Sequence, residues 1–240
     1  MERIATVLFM PFPQTRNRHD GIRPEAVRKM HQLDRMAGNQ PNAVDLSSED
    51  QKIRAFVGFP MSTEVVQAIA ALINDMKARV PGNGISWVDP HNVHLTVRFL
   101  GDGVGLHMIT PLVAVLTTIA AETQPFAIQV QGLGVFPNSQ RPRTVWVGIV
   151  SEKLKELAVR VDRAAAQCGF YSEARPFIPH ITVARLRKVR HWKVIREGLG
   201  DVANLTFGSF TVDHISIYRS FREAQGRIYE EIASFPLSSR

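Results

Sequence analysis

The sequence predicts an α+β protein in which one unit is built twice, and two observations carry that expectation. The tetrapeptide His94-Leu95-Thr96-Val97 recurs as His180-Ile181-Thr182-Val183. Each copy is preceded by a strand and an amphipathic helix, so the two motif strands are expected to be related by approximate two-fold symmetry. In an extended chain Val93, Leu95, Val97 and Phe99 share one face, and His94, Thr96 and Arg98 share the other. In the second copy Ile181 and Val183 oppose His180 and Thr182 in the same way. One face packs and the other is free for chemistry.

Residues 1–50 contain a short apolar run, Ile4 to Phe12, interrupted by prolines, and a weak helical pattern at 23–36. They read as an N-terminal extension, mobile or loosely packed. A signal peptide is not expected, because Glu2 occupies the would-be basic region and no small-residue cleavage site follows. The folded body, residues 51–240, opens with a strand at Ile53–Phe59 ended by Pro60. Ser62 or Thr63 offers an N-cap for a helix at 63–80, whose stripe is Val65, Ile69, Leu72, Met76 and Val80. A short strand at 85–88 turns at Asp89-Pro90 into the first motif strand, which Gly101 is expected to terminate. A helix at 106–122, strands at 126–136 and 144–149, and a helix at 152–167 stopped by Gly169 lead to the second motif strand. A short helix at 190–199, one strand at 206–219, a loop at 220–227 and a strand at 228–235 complete the body.

With 240 residues, 45% of them hydrophobic, the chain can bury a substantial core, and it contains no run of about 18 apolar residues to span a bilayer. The single Cys168 excludes an internal disulfide and fits a reducing compartment, so a cytoplasmic monomer without membrane association is expected. The net charge of +7 resides in the body, since residues 1–50 hold seven basic and seven acidic side chains. A basic body favours phosphate-bearing partners.

His91 and His94 do not make a metal pair: their odd offset puts them on opposite strand faces, and no Asp or Glu joins His94 on its own face. Cys168 sits at a helix end, there is no Gly-x-Ser-x-Gly elbow, and no glycine-rich phosphate loop occurs. Paired general acid and base chemistry remains. An imidazole of pKa about 6.5 can accept a proton near neutrality while its twin donates one. In-line displacement at phosphorus needs those two transfers on opposite sides of the phosphorus, and Thr96 and Thr182 offer hydroxyl donors for the non-bridging oxygens.

His94-Leu95-Thr96-Val97-Arg98-Phe99-Leu100-Gly101 and Arg175-Pro176-Phe177-Ile178-Pro179-His180-Ile181-Thr182-Val183-Ala184-Arg185 resemble the two signature segments of the 2H phosphoesterases. The resemblance is to the RNA 2′,3′-cyclic phosphodiesterase branch, long called 2′-5′ RNA ligases, and covers about residues 52–238. It implies two similar α+β lobes around a V-shaped cleft, with His94 and His180 as the catalytic pair and Thr96, Thr182 and Arg185 on the substrate. Arg98, on the histidine face, and Phe177 are further candidates for substrate contact. Arg185 is odd-spaced from His180, so it reaches the cleft only if the strand bends or ends there. The implied activity is cofactor-free hydrolysis of RNA 2′,3′-cyclic phosphate ends to 2′-phosphates, acting on RNA ends or small cyclic nucleotides. A 2′-5′ nucleotide phosphodiesterase, an RNA 2′-5′ ligase and a non-catalytic RNA-binding module are the alternatives.

Overall fold

The computed structural model describes residues 52–80, 84–223 and 226–238. The expected extension at 1–50 lies outside them. Among the described residues nine strands form two antiparallel sheets. The four-stranded sheet has the order β3 (His94–Gly105), β1 (Lys52–Pro60), β8 (His214–Glu223), β9 (Gly226–Pro236). The five-stranded sheet has the order β2 (Ile85–Trp87), β6 (His180–Leu186), β5 (Thr144–Val150), β4 (Phe126–Phe136), β7 (Thr206–Val212). The first motif strand, β3, belongs to one sheet and the second, β6, to the other, and the two strands approach each other between the sheets.

Helix α1 (Thr63–Arg79) starts where the Ser62 hydroxyl accepts from the Val65 amide, and it buries Val65, Ile69, Leu72, Ile73 and Met76. Burying each such side chain stabilises the fold by about 1.5–3 kcal/mol before conformational entropy is charged. Although α1 follows β1 of the four-stranded sheet, it packs on β7 of the five-stranded one, beside α4 (Val189–Leu199). Helix α3 (Glu152–Gln167) follows β5 of the five-stranded sheet and packs on β3 of the four-stranded one, beside α2 (Leu106–Ala121). The halves thus exchange helices, which gives the repeated strand, helix, strand order its spatial meaning. One continuous apolar cluster joins both halves.

Three expected boundaries shift. The first motif strand continues through Gly101 to Gly105 because that glycine adopts a φ of 145° and still pairs with Ala55. The single strand expected at 206–219 is two strands, parted at Asp213, which lets β7 edge one sheet while β8 crosses into the other. The loop expected at 220–227 is a hairpin whose pairing reaches Glu223 and Gly226.

Candidate active site

The two motif strands carry the same irregularity at the same place. Along β3, Val57 of β1 pairs with Arg98 but the next residue, Gly58, pairs with Thr96, so Val97 is an extra residue, a β-bulge. Along β6, Val145 of β5 pairs with Ala184 and Trp146 with Thr182, so Val183 is the extra residue. Gly58 permits the first bulge: a Cβ there would come within 2.2 Å of the Leu95 carbonyl oxygen. Each bulge inverts the alternation that follows it. Five residues after each motif histidine, Phe99 and Arg185 therefore return to the histidine face, and both line one cavity with His94, Thr96, His180 and Thr182. The strand thus has the bend that Arg185 requires.

The same inversion corrects the expectation for Arg98, which turns away from the cleft. It is 8% exposed, ion-paired at 2.6 Å with Asp162 of α3, and its guanidinium donates to the carbonyls of Phe99 and Tyr171. Phe177 is also outside the cleft-lining set; it packs half-buried against the core. Arg98 holds the loop after α3 against β3, a packing role that strict alternation hides.

Each motif imidazole is held by one carbonyl and two aromatic rings. His94 Nδ1 lies 2.7 Å from the Asn92 carbonyl oxygen, and His180 Nδ1 lies 2.8 Å from that of Ile178. A carbonyl only accepts, so both rings carry hydrogen on Nδ1 and present Nε2 to the chemistry. The ring of His94 stands 4.8 Å from Phe56 and 4.4 Å from Tyr229; that of His180 stands 4.9 Å from Phe136 and 6.2 Å from Trp146. Burial holds the pKa of both histidines below the ordinary value, against the raising effect of the carbonyl bonds. A charge on His180 further disfavours one on His94, and the Arg185 guanidinium disfavours one on His180.

The cavity, of about 850 Å³, lies between the sheets and draws on both. Thr96 and Thr182 line it, and neither hydroxyl has a protein hydrogen-bond partner among the described residues. The remaining lining includes Trp87 and residues that motif reasoning passed over: Arg54, Phe56, Asn92, Arg222, Arg227 and Tyr229. Arg54 and Phe56 could have been found, since both share a strand face with Gly58, which lies opposite Thr96. Asn92 supplies the carbonyl that holds His94 and donates its amide to the Arg227 carbonyl at 2.7 Å, tying the motif to β9. Among the described residues only one that lines the cavity is acidic, Asp89, and its Oδ1 accepts from the His91 amide at 2.9 Å. Among the described residues no group of three or more His, Cys, Asp or Glu is placed to hold a metal ion. No helix of the described residues is long and apolar enough to cross a membrane.

The chain matches the family described as the 2′-5′ RNA ligase superfamily over residues 65–223. It is 33% identical to an RNA 2′,3′-cyclic phosphodiesterase of Aquifex aeolicus over 188 residues, which cover 77% of this chain and 97% of that protein. A protein of the same name from Methanothermobacter thermautotrophicus is 30% identical over 187 residues, 78% of this chain and 100% of the relative. A crystal structure from Thermus thermophilus, 26% identical, superposes with a TM-score of 0.62 over 77% of this chain and 98% of that one.

Proposed function

The chain belongs to the 2′-5′ RNA ligase superfamily, and on that footing we propose that it hydrolyses RNA 2′,3′-cyclic phosphate ends to 2′-phosphates with His94 and His180 as proton carriers. The observation that carries this reading is the matched pair: two imidazoles on two sheets, each fixed through Nδ1 and each with a threonine two residues on, lining one cavity. In the proposed step His180 Nε2 takes a proton from water, whose oxygen forms the new bond to phosphorus. The P–O3′ bond breaks on the far side, and His94 Nε2–H delivers its proton to O3′. Thr96, Thr182 and Arg185 donate to the non-bridging oxygens, so the charge built up at phosphorus meets fixed donors.

Arg185 favours a neutral His180, which suits a base. His94, where burial opposes charge, gains its proton most readily once the anionic phosphate is bound. The proposed step calls on no resident metal or cofactor. Both halves of the cleft are lined by residues between Arg54 and Tyr229 of one chain, and the working form proposed is a cytoplasmic monomer.

The test is product identification. A short RNA ending in a 2′,3′-cyclic phosphate, incubated with the protein and a chelator, is expected to yield a 2′-phosphomonoester with a free 3′-hydroxyl. A 3′-phosphate product, or cleavage abolished by the chelator and restored by a metal, would contradict the proposal. Joining of RNA ends as the faster reaction would favour the ligase alternative.

A further inference from the structure

The reaction proposed above needs cations for one phosphate, and the cleft holds a surplus. Arg54, Arg185, Arg222 and Arg227 line it, against one carboxylate, that of Asp89, among the described residues. Arg185 shares the face of His180 and Thr182. Arg54 is committed elsewhere, its guanidinium lying 4.3 Å from the centre of the Phe99 ring and ion-paired with Asp102. Arg222 and Arg227 remain, and they stand directly opposite each other across β8 and β9. Like charges at such a position repel.

Among the side chains the structure describes, neither arginine has a carboxylate partner; Arg227 donates to the Ser220 hydroxyl at 2.8 Å. The acids further along β9 are engaged, Glu230 with Arg219 at 2.6 Å and Glu231 with the Tyr218 hydroxyl at 3.2 Å. Two opposed arginines turned into a cleft cost stability unless an anion lies with them.

Their position relative to the histidines is set by the strand. Tyr229, in contact with the His94 ring, follows Arg227 by two residues on the same face, a step of about 7 Å. The pair is therefore displaced from the reacting centre toward the hairpin end, on the scale of one nucleotide of an extended strand. Tyr229 lines the cavity between the two positions, together with Arg185 and Arg227; burial pushes its hydroxyl pKa up, and the nearby arginine charges oppose that rise.

We propose that Arg222 and Arg227 form a second phosphate subsite, which takes the phosphate on the 5′ side of the terminal nucleotide and makes the cleft selective for RNA ends over bare cyclic nucleosides. The inference rests on the reading of the cleft as a cyclic-phosphate hydrolase. Three substrates test it: a nucleoside 2′,3′-cyclic phosphate, the same compound with a 5′-monophosphate, and a dinucleotide ending in the cyclic phosphate. The parent protein is expected to show a kcat/KM about tenfold or more higher for the phosphate-bearing substrates, mainly through KM. In Arg222→Gln/Arg227→Gln that advantage is lost, and the dinucleotide's log kcat/KM falls less steeply with log salt, by about 0.7 for one phosphate contact. An advantage confined to the dinucleotide and lost in the variant assigns the subsite to the internucleotide diester. An advantage that the variant keeps, or no advantage in the parent, overturns the subsite. Failure of the parent on all three substrates overturns instead the hydrolase reading beneath it.

Discussion

His94 and His180 owe their properties to groups outside their own tetrapeptides. Each is locked through Nδ1 by the carbonyl two residues earlier and set between aromatic rings, and burial depresses both pKa values. That depression has a consequence for stability. An unfolded imidazole titrates near 6.5, so below that pH the unfolded chain takes up protons that the folded one refuses. The contribution of each site to stability is complete above about pH 6.5 and is lost as the pH falls toward the folded pKa. The thermal midpoint should therefore drop between pH 7.5 and pH 5.5, and the drop should shrink in His94→Asn/His180→Asn, whose amides keep a donor for the carbonyls. Parallel pH curves for parent and variant would contradict this account. The four motif residues were legible in the sequence because each histidine and its threonine are separated by one strand period with nothing irregular between them. Arg98 and Phe99 were assigned to each other's faces because the bulge at Val97 depends on β1, a strand distant in sequence.

At the scale of elements, the bulges and the aromatic slots depend on neighbouring strands. Trp146 of β5 lies across Gly134 of β4, its cross-strand partner, and reaches Phe136 and His180. A Cβ at Gly134 would fall 2.1 Å from the indole, so Gly134→Ala must push the ring from its place. Overpacking of this kind costs about 1–3 kcal/mol. The variant should stay folded but lose about tenfold in kcat/KM, because His180 would lose the wall that orients it. Parental kinetics would show that Trp146 has no part in placing His180. Helices were legible to within a residue or two because their stripes and caps are local: Ser62 and Ser151 each accept from the amide three residues on. The division at Asp213 was not, since both flanking segments have strand composition and only the sheets decide which side each joins.

For the molecule as a whole, the site is built by both halves: each sheet lends one motif strand, each half lends the other a helix, and one core fixes the two relative to each other. The sequence made the repeat visible through its motifs, whereas the exchange of α1 and α3 between sheets is a property of tertiary packing with no local signal. The central claim is that both halves contribute a proton carrier to one reaction. It is tested most directly by steady-state turnover of a cyclic-phosphate-ended RNA, in the presence of a chelator, by the parent, His94→Ala and His180→Ala, with thermal unfolding at pH 7.5 as the control for folding. Each variant is expected to lose about 10²–10⁴-fold in kcat while remaining cooperatively folded. Near-parental turnover by either folded variant would contradict the paired mechanism.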